Sequence, residues 1–248
     1  MFKYFTCVPA QLALVITLAV SAGLRAEYLV AFPEGNYYPH YDSTRGEMKG
    51  FLPSLLNRFE QDSAITFSLR GMPIKRYQSL IATGEVDFIM PSNPAWSDTE
   101  SGPLVFSGVV MISRSGFVRR SSQLGKPIEL VATVTGYRLP DINPQYLFAQ
   151  PKVVYTVDTF ASLNMLRAGR VDAVYAHLDF VRQWVRSHHN VEAIYLDADA
   201  GFDNFSYHLA TLKHTQVIRR FDQWMQQNRP TILQLMREYS VGEDMKLD

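Results

Sequence analysis

One short pattern occurs twice in the chain. Residues 79–92 read SLIATGEVDFIMPS and residues 162–177 read SLNMLRAGRVDAVYAH. Each opens on Ser-Leu, runs through an apolar stretch, reaches Gly-x-Val-Asp and continues apolar. A Gly just after the last apolar helical position stands where a left-handed C-terminal cap belongs. The short apolar run that follows reads as a buried strand. Both segments therefore predict a helix–glycine–strand corner, with Gly84 and Gly169 at the caps and Asp87 and Asp172 at the strand starts.

The flanking segments repeat the same order. In the first half, strands are expected at 27–32, 65–71 and 86–90, with helices at 50–61 and 75–83. In the second half, strands are expected at 128–134, 152–157 and 171–176. The helix between the last two starts at Thr159 behind the capping residue Asp158. The stretch 104–118 reads as β-rich, 119–127 as a polar surface loop, and 191–196 and 205–211 as strands. The chain closes with helical patterns at 216–228 and 231–239, divided by Pro230. A lone corner of this kind is common in α/β proteins. Two copies in matching strand orders favour paired lobes. Open α/β sheets bind ligands beyond the carboxyl ends of their strands, and two such lobes face each other across a cleft, a favoured ligand site.

The 248 residues are 47% hydrophobic and 19% charged with a formal net charge of zero, so no charge excess points to nucleic acid or another polyanion. The N-terminus departs from this average. Lys3 precedes an apolar run from Leu12 to Ala22, too short for a membrane span of about 20 residues and patterned like a secretory leader. Cleavage is expected after Ala26, with Ala22 as the second site, which places the mature protein in the periplasm with a charge of −2. Cys7, the only cysteine, precedes the apolar run and leaves with it. The mature chain then has no disulfide, thiolate nucleophile or cysteine metal site, and its size suits two lobes of roughly 100 residues.

Several pieces, in their order, resemble the bacterial periplasmic solute-binding proteins of the polar amino-acid type, extracellular solute-binding protein family three. These are YYPHY after the first strand, GEMKGF at the first helix, YQSLIATGEVDF, LVFSGVV, LVATVTGY and LRAGRVDAVYAH. The resemblance spans 27 to about 240. It implies an α/β chain with the two-lobed, periplasmic-binding-protein-like (type II) fold, mixed sheets and a Venus-flytrap cleft. It also implies a discontinuous first lobe (27–112 and 205–248) around a second lobe (113–204). Ligand contacts carried over from the family fall at Tyr37 and Tyr38 as an aromatic platform, and at Ser92 and Asn93 after the first corner. They continue at Gly136 and Tyr137, with Arg138 beside them, and at His177 after the second corner.

The departures narrow the ligand. The family's amino-acid receptors place an Arg about a dozen residues after the first corner to clamp the α-carboxylate; here the region reads PSNPAWSDTESG, with Thr99 near that position. Their Asp for the α-ammonium is replaced by His177, their Gly-Phe-Asp by Gly50-Phe51-Leu52, and a second aromatic platform by Ile74. Micromolar binding is worth about 8 kcal/mol, and losing one partner of a buried charge pair costs roughly 2–5 kcal/mol. Two such losses leave a standard α-amino acid at about millimolar affinity or worse, unless Arg138 or Arg76 holds the carboxylate from another side. A small polar or anionic solute is the expected ligand, and an imidazole at position 177 implies pH-dependent binding.

No cofactor or metal is expected: His188 and His189 have no second pair of ligands, and no hydrolase, zinc or phosphate-loop motif occurs. The leading expectation is a monomeric, non-enzymatic receptor serving an ABC-type transporter. A sensor or accessory domain signalling to a separate membrane partner, a fold kept for protein contacts alone, and a small-carboxylic-acid lyase on the same fold stay open beside it.

Overall fold

The computed structural model of the chain describes residues 26–44, 46–96, 102–135, 139, 150–188 and 193–242. Twelve strands and six α-helices occur among them. The first parallel unit comprises β1 (Ala26–Pro33), β4 (Ile65–Met72) and β5 (Phe88–Ser92), with α1 (Phe51–Asp62) and α2 (Ile74–Thr83) as crossovers. Between β1 and α1 lies a small hairpin, β2 (Asn36–Tyr37) and β3 (Tyr41–Asp42). The second parallel unit comprises β8 (Leu130–Val134), β9 (Lys152–Thr156) and β10 (Ala173–His177), with α3 (Thr159–Arg167) before β10 and α4 (Leu178–Ser187) after it.

Two long strands join the units. β7 (Met111–Arg120) and β12 (Phe202–Thr211) pair antiparallel from Met111↔Tyr207 to Gly116↔Phe202. β12 also pairs with β5 and with β6 (Val105–Phe106), and β7 also pairs with β10 and with β11 (Ile194–Leu196). The strand order is β4-β1-β5-β12-β7-β10-β8-β9, one continuous hydrogen-bonded path. The chain ends with α5 (Thr215–Gln227) and α6 (Arg229–Tyr239).

The packing divides along this path into two lobes. One core is built around Phe32, Phe51, Leu55, Phe59, Phe88, Leu209 and Phe221; the other around Val118, Leu163, Leu166, Val174, Val181 and Trp184. β7 passes from one to the other, with Met111 in the first and Val118 in the second. The first core draws its helical side from α1, whose Phe51, Leu52, Leu55, Leu56 and Phe59 form a buried stripe at helical spacing.

Both corners behave as the sequence predicts, and they are equivalent in detail. Gly84 and Gly169 take the left-handed conformation and bond back to Ile81 and Leu166, closing α2 and α3. Asp87 N donates to Leu29 O while its carboxylate accepts from Leu29 N. Asp172 N donates to Leu130 O while its carboxylate accepts from Leu130 N and Glu129 N. Each Asp thus staples the new strand to its parallel neighbour at the point where the ladder begins. Asp87 does more: its second oxygen meets His214 Nε2 at 2.7 Å, tying in the start of α5.

Two local expectations are revised. The stretch 119–127 is not wholly a polar surface loop: Arg119, next to last in β7, is fully buried, donating to Asp197 (3.0 Å) and to the Lys126 carbonyl (2.9 Å). A buried guanidinium survives there because a carboxylate and carbonyls surround it. Pro230 does not separate two helices but sits in the first turn of α6, where its missing N–H costs nothing. α4 follows β10 directly and closes at its C-cap His188, where the sequence places a helix end beside His188 and His189. Replacing Asp172 by Ala should cost about 1–3 kcal/mol, because it strands two amide donors, and Asp172→Asn should recover part of it; urea unfolding of the two variants measures the difference.

Candidate functional site

The carboxyl ends of β5 and β10, together with the β2–β3 hairpin after β1, converge between the two lobes. The hairpin is held by α1. Phe51 N and Leu52 N, two of the donors a helix leaves open at its start, bond to the carbonyls of Pro39 (2.9 Å) and His40 (3.0 Å). This approach requires glycine at position 50: its φ is +118°, and a Cβ there would lie 2.7 Å from the His40 carbonyl oxygen. The GEMKGF segment therefore sets where His40 sits.

His40 is almost wholly buried and reaches across to the other lobe. Its Nε2 lies 2.8 Å from Asp179 Oδ2, in the first turn of α4. Asp179 Oδ1 accepts from Arg182 Nη1 (3.1 Å), and the same nitrogen donates to the Ser240 carbonyl (3.3 Å) past the end of α6. Burial pushes the Asp179 carboxyl up, but the hydrogen bond and charge of His40, with Arg182, outweigh it and hold the group below its ordinary value. A carboxylate in the first turn of a helix also benefits from the helix dipole.

Aromatic rings surround this pair. Phe180 lies 5.0 Å from His40, 5.6 Å from Tyr37 and 5.4 Å from His177, centroid to centroid. Tyr207 of β12 stands edge-on to His40 at 5.4 Å. Tyr37 stacks on Tyr41 at 5.1 Å, and burial, then the charge of Asp158, raises its phenol.

His177, at the end of β10, is buried, with Nδ1 2.6 Å from Ser115 Oγ and 3.3 Å from Ser113 Oγ of β7. Burial first, then the nearby His40, lowers it from the ordinary 6.5 to about 3, against a smaller opposing pull from Asp179. The imidazole is therefore neutral at physiological pH, and the expectation that its titration would tune binding near neutrality loses its physical basis.

The other predicted contacts fall out as follows. Ser92 is buried at the end of β5. Asn93 is buried with its amide already engaged: Nδ2 donates to the Ser206 carbonyl (2.7 Å) and Oδ1 accepts from Ala95 N (2.7 Å). It fastens β5 to β12. Tyr38 is exposed and stands over Tyr239 at 6.2 Å, rather than with Tyr37 in the cluster. Gly136, Tyr137 and Arg138, and Thr99, lie outside the described residues. Arg76 and Ile74 are exposed on α2.

His40, Asp179, Phe180 and Arg182 have no place in the sequence expectations. His40 lies in YYPHY, where the aromatic pair dominates the reading. Asp179 follows a strand end, and an acid at that point is a helix-start signal once α4 is recognised. Among the described residues, no three His, Cys, Asp or Glu are arranged to hold a metal ion, and no helix is long and apolar enough to cross a membrane. A shallow concavity of about 630 Å³ lies elsewhere, lined by residues such as Gly108, Asp222, Met225, Arg229 and Leu233, and shares none with the cleft.

No protein-family model matches the chain, and no curated protein does. Solved structures do. The arginine-, lysine-, histidine-binding protein ArtJ from Geobacillus stearothermophilus superposes with a TM-score of 0.66 at 14% identity, covering 90% of this chain and 98% of its own. The periplasmic VFT2 domain of Bordetella pertussis BvgS gives 0.66 at 17% identity, covering 87% and 94%. The ancestral amino acid-binding protein AncCDT-1, a precursor of cyclohexadienyl dehydratase, gives 0.64 at 15% identity, covering 87% and 96%. The fold is thus that of the two-lobed, Venus-flytrap type II binding proteins. At these identities the likeness is one of fold.

The buried imidazole has a measurable consequence. A depressed histidine pKa means that the unfolded chain binds the extra proton first, so stability falls as pH drops from about 6.5 towards 3. His177 should contribute up to about 1.4 kcal/mol per pH unit in that window. Urea titrations at pH 7, 6 and 5 should show a shallower pH slope for His177→Gln than for the native chain.

Proposed function

We propose that this chain is a periplasmic solute-binding protein that closes two lobes over one small polar or anionic solute and presents it to an ABC-type transporter. What supports the reading is that Tyr37 of one lobe and His177 of the other both pack against Phe180, with Ser92 at the carboxyl end of β5. Open α/β sheets bind at this place. The boundaries that go with it are a leader over 1–26, one lobe over 27–112 and 205–248, and the other over 113–204. Export to the periplasm by the leader and a single-chain receptor acting with separate membrane partners belong to the same proposal.

The ligand is not a standard α-amino acid. The residue at the family's ammonium-binding position is a neutral imidazole, held by Ser115 and Ser113. Of the described carboxylates near the cleft, Asp179 is already matched by His40 and Arg182, and Asp158, whose charge reaches Tyr37, accepts from Ala161 N as the cap of α3. Neither supplies an ammonium partner, and Arg182 is not spare for a carboxylate. Where Gly136, Tyr137 and Arg138 contribute, they do so from the start of the second lobe with backbone N–H groups and a guanidinium suited to an anion. A sensing role is the second reading, favoured by the similarity to a periplasmic domain of BvgS; no catalytic step is proposed.

A thermal-shift screen of the mature chain against organic acids, sugars, polyamines and amino acids tests this. A solute at one hundred times its Kd adds about 2.7 kcal/mol, which should raise the Tm of a chain this size by roughly 5–10 °C. Stabilisation is expected from a small polar or anionic solute outside the amino acids. Strong stabilisation by a standard amino acid would overturn the ligand argument, and none by any solute would overturn the receptor reading.

A further inference from the structure

We propose that the two lobes are latched to one another by the chain's own side chains. Asp179 and Phe180, at the start of α4, dock into a recess of the other lobe formed by Tyr37 and His40 and backed by Tyr207. The latch goes beyond solute capture: it closes the cleft by contacts that no solute supplies.

The argument starts from burial. His40 is 1% exposed, Asp179 6% and Arg182 7%. Charged groups this deep persist only when paired. Arg182, one helical turn along from Asp179, is a partner within the second lobe. His40 is a partner from the first, and so is the Ser240 carbonyl that Arg182 also meets. Ser240 holds the left-handed conformation, φ 52°, as the residue that ends α6. The network therefore has two anchors on one lobe and its carboxylate and guanidinium on the other. Separating the lobes would break the His40–Asp179 and Arg182–Ser240 contacts and expose what they bury.

Phe180 adds the apolar half. Its ring sits within 5.0–5.6 Å of Tyr37 and His40 on one side and of His177 on its own. Aromatic pairs at such separations stabilise beyond the area they bury. A ring and a carboxylate from α4 thus take up an aromatic platform and an imidazole, an intramolecular counterpart of a small anionic ligand. A conformational equilibrium shifts only by differential interaction between its states, and here that difference is built into the chain. A solute entering the cleft must compete with the latch, so its apparent affinity falls with the fraction of open molecules.

Interlobe distance tests the latch without any solute. Spin labels at the exposed positions Gln61 and Arg167, introduced as Gln61→Cys and Arg167→Cys over Cys7→Ser, report lobe separation by pulsed dipolar spectroscopy. The protein is first stripped of bound small molecules by unfolding and refolding. The expected result is one narrow, short distance distribution for the unsubstituted latch, shifting to longer and broader distances in Asp179→Asn and in His40→Gln, each with native circular dichroism. A long, broad distribution in the stripped protein with its latch intact would overturn the proposal, as would variants that keep the short distance. The first of these outcomes needs no latch substitution to fold, and neither depends on the solute screen.

Discussion

The antiparallel pairing of β7 with β12 is the contact on which the rest of the molecule hangs. On either side of it the strands are parallel, with α1, α2 and α3 as crossovers among the described residues. Neither parallel unit continues into the other. β7 and β12 hydrogen-bond over six residue pairs, from Met111 to Gly116 and from Phe202 to Tyr207, and each belongs to the sheet of both lobes by its other edge or its other end. This geometry points the carboxyl ends of β5 and β10 towards the same space. It also brings Ser113 and Ser115 of β7 beneath His177, and Tyr207 of β12 beside His40.

What fills that space follows from electrostatics. Among the described residues, several buried charges are matched: Asp179 by His40 and Arg182, Arg119 by Asp197, and Asp203 accepts from the Tyr175 hydroxyl. Polar groups buried without partners cost several kcal/mol, and on the proposed reading a matched lining would select against a ligand that brings two opposite charges. The same matching across the lobes makes closure partly a property of the chain itself. On the proposed reading, solute capture and self-closure would draw on one set of side chains.

Much of the scaffold was legible from residue pattern alone. Gly84 and Gly169 cap helices, Asp158 caps α3, and Asp87 and Asp172 stand at strand starts, because these are local matters of backbone conformation and of donors close in sequence. The misreadings were non-local. Arg119 looks like part of a polar loop until Asp197, 78 residues away, is known to meet it. His40 looks incidental beside Tyr37 and Tyr38 until Asp179, 139 residues away, is brought to it by the fold. Asn93 reads as a ligand group because its type and place fit, and the fold adds that its Nδ2 donates to Ser206 of β12 and its Oδ1 accepts from Ala95 N. Sequence shows what a side chain can offer; only the fold shows whether the offer is already taken.

The central claim is that one solute is gripped from both lobes at the shared cleft. Chemical-shift mapping of the isotope-labelled chain, titrated with the solute that most raises its melting temperature, tests it most directly. The account predicts that resonances of Tyr37 and Ser92 from one lobe and His177 from the other move together, with a single dissociation constant. Shifts confined to one lobe, or centred on the concavity around Asp222 and Met225, would contradict it.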